Sequence, residues 1–191
     1  MIDHLGSRAA LAEWGRTLRA ARSVRRRLVR RSMAVGMLSA ALAMTIAWPA
    51  RPMLVWNASA SAPVGLYRVS RDTVGTGGMV IAWPPADIRG LAARRHYLPE
   101  NIPLVKHVAA EAGDTVCAQG PIISIAGRPV AERRKRDGAG RPMPWWEGCV
   151  LLRHGALFLL VRGNAASFDG RYFGPTTREA IVGKATPLWV R

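Results

Sequence analysis

The chain has 191 residues, 49% of them apolar, and a formal charge of +16. That length holds one domain, or one domain with an appendage, and the apolar content supports a packed core, so a multidomain chain and a coreless one are both excluded. Two isolated cysteines and four histidines outside any motif (His4, His96, His107, His154) do not make a zinc site, so no metal or cofactor is expected.

The charge is uneven from the start. Residues 1–32 hold nine arginines against Asp3 and Glu13, a net +7. Met33 to Ala50 then carries no charge over 18 residues. As a helix this run rises ~27 Å, enough to cross a hydrocarbon layer. Trp48 and Trp56 stand where amphipathic rings prefer the headgroup level. Arginines on the N-terminal side place that end in the cytoplasm and everything after Ala50 outside. A cleaved secretory signal is the competing reading. The length of the run and the poor cleavage site at Trp48-Pro49-Ala50 weigh against it. The segment boundaries expected are therefore a basic cytoplasmic arm over 1–32, a transmembrane anchor over 33–50 and an extracytoplasmic domain over 51–191. The bilayer is the expected partner of the arginines, and nucleic acid is not, because topology already explains the charge.

From residue 51 the pattern is β-rich. Short apolar or alternating runs occur at Met53 to Trp56, Leu66 to Val69, Met79 to Trp83, Leu104 to Val108, Ile122 to Ile125, Val150 to Leu152, Leu157 to Val161 and Leu188 to Val190. Gly, Pro and Asp separate them, which predicts a mainly antiparallel β domain. Ala86 to Arg95 reads as one short helix. Arg133 to Gly140 reads as a polar loop with its charges in water. Cys117 and Cys149 would lie in an oxidising compartment, where they can pair as a disulfide; two unpaired thiols are the alternative.

Three stretches carry possible chemistry. Asn57 to Tyr67 reads NASASAPVGLY, with two serines among small residues and a Pro-x-Gly turn open to close approach by a ligand. A Ser/Ala-rich linker would look similar. In Leu104-Val105-Lys106-His107-Val108, Lys106 interrupts an apolar strand with Leu104 and Val108 on its own face. A lysine facing apolar surroundings has a lowered pKa, and its neutral amine can act as a general base. A lysine facing water on an edge strand fits the spacing equally well. Gly163 to Gly174 is polar and Gly-rich, and Asp169 and Arg171 can pair there if the chain bends locally; a plain surface loop is the alternative.

Together, and in this order behind one anchor, the three stretches resemble the type I signal peptidase family, and most closely its TraF-type conjugative transfer branch. The family's serine box is matched by Ser59-Ala60-Ser61-Ala62-Pro63-Val64-Gly65, its lysine box by Lys106-His107-Val108 running to Gly113-Asp114, and its last box by Ser167 to Gly174. His107 stands where the family usually has arginine, and Gly170 where it usually has serine. The resemblance implies a signal-peptidase-like (LexA-like) antiparallel β fold and a serine peptidase with Ser61 as nucleophile and Lys106 as base. It further implies Ser59 as oxyanion-hole hydroxyl, Ser167 orienting the Lys106 amine, and Asp169 and Arg171 holding the loop. The substrate it suggests is a membrane-associated precursor, a conjugative pilin, cut just outside the inner membrane. Ser61 lies 11 residues beyond Ala50, hence within ~40 Å of the membrane exit. A general signal peptidase removing leader peptides and a non-catalytic membrane-tethered assembly protein are the two alternatives.

Overall fold

A computed structural model describes residues 3–47, 52–59 and 61–191, with side chains of the first helix described at Trp14, Arg22 and from Val24 onward. The chain forms two units, 1–50 and 51–191. The first is one continuous helix, α1 (Asp3–Ala47), rich in Ala, Leu, Met and Arg and free of proline, the composition that favours a long helix. Within it, Val24–Ala47 is long and apolar enough to cross a membrane. The basic arm is thus helical through its described residues and continuous with the apolar run. Trp48, Pro49 and Ala50, the expected end of the anchor, lie outside the described residues.

Among its described residues the second unit contains one 3-10 turn, Arg178–Ala180, together with ten strands and two short α-helices. In chain order they are β1 (Leu54–Asn57), β2 (Gly65–Ser70), β3 (Met79–Ala82), α2 (Ala86–Arg94), β4 (Leu104–Ala110), β5 (Thr115–Gln119), β6 (Ile122–Ile125), β7 (Arg128–Glu132), β8 (Gly148–Leu151), β9 (Phe158–Leu159), α3 (Gly170–Phe173) and β10 (Ile181–Val190). Six strands form one sheet in the order β1-β2-β10-β3-β4-β9, and four form a second in the order β7-β6-β5-β8. Every pairing is antiparallel. The fold is the mainly β, antiparallel one that the alternating runs predict.

Strand β4 organises the core, because its residues join three separate apolar clusters. Val105 packs with Ala62, Tyr67, Ile81 and Ala185. Val108 packs with Val80, Leu157 and Leu159. Ala109 and Ala110 join Val116, Ile123, Leu152 and Phe158 between the sheets. A strand covered on both faces reads as a continuous apolar run, which is why the charge of Lys106 stands out. The Gly113-Asp114 pair then turns the chain from the first sheet into the second. Gly113 has φ +103°, its N–H donates to the Leu152 carbonyl, and the Asp114 carboxylate accepts the Glu111 N–H.

Two details depart from the sequence reading. Strands β5 and β7 lie between the predicted runs, and β10 begins at Ile181, well before Leu188. Arg133 is not solvated: it is 2% exposed, with its guanidinium 3.6 Å from the centre of the Trp145 ring. It donates to the Gly120 and Trp146 carbonyls and pairs with Glu147 at 3.0 Å. Arg134, Lys135 and Arg136 do face water. Cys117 and Cys149 are register partners on β5 and β8, 4.0 Å apart at Cα, and their sulfurs are bonded.

Candidate active site

The first component is the loop between β1 and β2. It starts at Asn57, the buried last residue of β1. The Asn57 amide Nδ2 donates to the Ser59, Ala62 and Pro63 carbonyls at 2.9, 3.0 and 3.1 Å, and Oδ1 accepts the Ser59 N–H at 3.2 Å. The Tyr67 hydroxyl donates to the same Pro63 carbonyl at 2.7 Å. The loop closes where β2 begins, at Gly65. A Cβ there would stand 2.0 Å from the Trp189 carbonyl oxygen, so the Pro-x-Gly step requires glycine. On the exposed side of the loop the Ser59 and Ser61 hydroxyls share a hydrogen bond of 2.5 Å, and the Ser61 N–H donates to Ser59 Oγ at 3.2 Å.

The second component is the amine of Lys106, on β4 opposite Val80. Lys106 is 2% exposed. Burial pushes its pKa down to about 8; the Asp169 carboxylate opposes that fall and the Arg171 guanidinium adds to it. Its Nζ lies 3.0 Å from Ser167 Oγ, which is also buried. Elsewhere on β4, Val105 shares an apolar cluster with Ala62, and His107, Val108 and Ala109 line the same cleft as Ser61. Ser61 and Lys106 share no hydrogen bond among the described residues; the Ser61 hydroxyl is turned to Ser59.

The third component is the buried turn after Ser167. Asp169 caps α3 and pairs with Arg171 at 2.8 Å, both side chains shut off from water. The pair leaves no polar group unsatisfied. Asp169 also accepts the Val161 N–H, and Arg171 donates to the Glu132 and Val161 carbonyls. A buried, fully bonded pair of this kind fixes geometry, and breaking one side of it would be strongly destabilising. Gly170 sits between the two: a Cβ there would lie 2.7 Å from the Leu159 carbonyl and 2.9 Å from the Phe158 ring. Phe168 stacks against Tyr172 and contacts Tyr97 and Phe173, fixing the residue between Ser167 and Asp169.

Ser61 opens on a cleft of about 610 Å³ walled by Pro63, Val64, Val108, Ala109 and Leu160. Thr76, His107 and Arg162 add polar groups to these small and aliphatic walls. Among the described residues no group of three or more His, Cys, Asp or Glu side chains is placed to hold a metal. The structure therefore brings Ser59 to Ser61, Lys106 to Ser167, and Asp169 to Arg171. Cys117 and Cys149 belong to the second sheet and to none of these contacts. Asn57 and Tyr67 are the residues that the sequence reading left without a role. An asparagine two residues before a serine is a recognised turn-forming signal, but its triple carbonyl contact needs the folded loop.

Signal peptidase, peptidase S26, is the family whose profile matches this chain, over residues 25–190. The chain belongs to this family. It is 33% identical over 142 residues to a plasmid transfer protein TraF of Escherichia coli, covering 69% of this chain and 80% of that protein. It is 33% identical over 140 residues to a probable conjugal transfer protein TraF of Sinorhizobium fredii, covering 68% and 73%. A conjugal transfer protein TraF of Agrobacterium fabrum is 34% identical over 144 residues, covering 70% and 80%. The family makes a serine peptidase acting on protein substrates. With the apolar helix it points to a membrane-anchored protein. At Gly170, where the sequence resemblance leads to the expectation of serine, a side chain would meet the backbone of β9.

Proposed function

We propose that this chain is a membrane-bound endopeptidase in which Ser61 is the nucleophile and Lys106 its general base. The observation that carries this reading is the Lys106 amine. It is buried, held at about pKa 8 and bonded to Ser167, on a strand whose neighbouring residues contact the Ser61 loop and its cleft. About a tenth of such amines are neutral at pH 7, against roughly one in three thousand at an ordinary lysine value. For the reaction the Ser61 hydroxyl has to leave Ser59 and come within hydrogen-bond reach of Nζ. Ser61 Oγ then bonds to the scissile carbonyl carbon while its proton passes to Lys106. The oxyanion is held by the Ser61 N–H and the Ser59 hydroxyl, each contributing ~2.7–4 kcal/mol. The C–N bond breaks as Lys106 returns the proton to the leaving amine. Water, deprotonated by the same amine, releases the acyl group. Ser167 keeps Nζ pointed, and the Asp169–Arg171 pair keeps Ser167 in place.

The proposed substrate is a membrane-associated precursor, a conjugative pilin, on the strength of the plasmid and conjugal transfer names of the relatives. The proposed placement is the inner membrane, with the N-terminus in the cytoplasm and residues 51–191 outside, supported by the arginines that precede the apolar run. An exposed apolar patch on the β unit fits work at a bilayer surface: Met53, Leu54, Trp56, Leu188 and Trp189 face outward, and the two tryptophans stack at 5.7 Å. The test is co-expression with the pilin precursor, with products weighed by mass spectrometry. The full chain should cleave it, while Ser61→Ala and Lys106→Arg should not, although circular dichroism stays unchanged. Arginine keeps the charge and cannot release its proton, so residual cleavage by Lys106→Arg would remove Lys106 from the role of base.

A further inference from the structure

We infer that Asn57, assisted by the Tyr67 hydroxyl, is a positioning residue that folds the Ser61 loop so that its carbonyls turn inward and the Ser61 amide turns to the cleft. The inference rests on Ser61 being the nucleophile, and it adds what makes the serine and its amide usable together. Ser-Ala-Ser-Ala-Pro carries five carbonyls and four N–H groups, since proline has none, and nothing in that run decides which set points outward. Asn57 decides it. One buried amide takes three carbonyls of the loop, from Ser59, Ala62 and Pro63, and its own oxygen takes the Ser59 N–H. The Tyr67 hydroxyl, on a side chain with no exposure, also takes the Pro63 carbonyl. With the acceptors of residues 59, 62 and 63 drawn towards the core, the Ser61 N–H emerges on the exposed side. There it meets Ser59 Oγ, and Ser61 borders the cleft. An oxyanion needs donors already aimed at it, because turning them during the reaction forfeits most of their effect.

Asn57 is buried, does not line the cleft, and spends its amide on the loop while Lys106 bonds to Ser167, so its removal should alter rate without altering the base. The experiment uses the full chain in detergent and a fluorophosphonate probe. In that reaction the Ser61 Oγ–P bond forms, the P–F bond breaks, fluoride leaves, and the serine proton passes to Lys106. Final extent of labelling by mass spectrometry counts competent enzyme; the rate constant reports the geometry of the loop. Asn57→Asp keeps an acceptor for the Ser59 N–H but replaces the amide donor that gathers the carbonyls. It should label to the same final extent as wild type, ~10²-fold more slowly. On a cleavable peptide kcat should fall while KM holds. Tyr67→Phe preserves the core packing and removes one tether of Pro63, so it should slow labelling several-fold and serves if Asn57→Asp does not fold. Label at Ser61 with a wild-type rate in these variants would overturn the inference alone. So would a loss of labelled fraction that fully accounts for lost turnover in both variants, which marks a merely structural role. Label on wild type at a residue other than Ser61 would overturn the nucleophile assignment and this inference with it.

Discussion

Replacing Lys106 by methionine should abolish peptidase activity and make the protein more stable at neutral pH. The magnitude follows from burial. Lys106 falls from 10.5 to about 8 in the folded chain, chiefly because the charged amine loses its water. A difference of that size corresponds to ~3 kcal/mol of destabilisation when the amine is charged in both states, as it is below pH 8. Methionine has similar length, bends to fit and carries no charge to desolvate. It forfeits the Nζ–Ser167 hydrogen bond, ~1 kcal/mol, leaving a net gain of ~2 kcal/mol. For a unit of this size that raises the midpoint of thermal unfolding by about 4–8 °C. The sign with pH is equally specific. Between pH 8 and 10.5 the folded protein sheds the Lys106 proton before the unfolded chain does, so wild-type stability rises relative to the variant. Above 10.5 the variant's advantage is gone. Guanidinium unfolding of both proteins at pH 7 and pH 10 measures the difference, in which other titrating groups cancel. A methionine variant less stable than wild type at pH 7, or a gap independent of pH, would refute the burial argument.

Three further outcomes follow from the same structure. The rate kcat/KM on a small-residue peptide should fall tenfold per pH unit below a midpoint near 8, since only neutral Lys106 accepts a proton; a flat profile from pH 6 to 8 would contradict the assignment. Gly170→Ser, which restores the residue usual in the family, should lower stability by ~1–3 kcal/mol, because its Cβ would press on the Leu159 carbonyl; chemical denaturation measures it. Reducing the Cys117–Cys149 bridge should lower the stability of the β unit by ~2–4 kcal/mol, read as a drop in melting temperature with reductant.

The three stretches could be singled out because each is short and carries an unusual residue in an otherwise plain setting: serines in an alanine run, a lysine in an apolar strand. The Asp169–Arg171 pair needed only a local bend, and the cap on α3 supplies it. What escaped was tertiary. Strand β5 buries Val116 and Ala118 around Cys117, and alanine is too small to mark an apolar face. Strand β7 begins Arg-Pro and ends in Glu, a composition that argues against a strand until β6 pairs with it. Arg133 looked solvated because its partners, Trp145, Trp146 and Glu147, lie beyond the basic loop in the chain. Asn57 stood in the quoted stretch, yet its worth depends on carbonyls brought round by a turn at Pro63 and Gly65.

The buried pair beside Lys106 has an evolutionary consequence. Because Asp169 and Arg171 push the amine's basicity in opposite directions, its remaining departure from ordinary lysine is set by desolvation. The acidity range in which such a peptidase works is then governed by the packing that keeps water from the amine, on a strand whose Lys106 is paired with Val80, more than by charged neighbours. A methyl group gained or lost there would retune the enzyme for a different milieu while every residue that meets the substrate stayed the same.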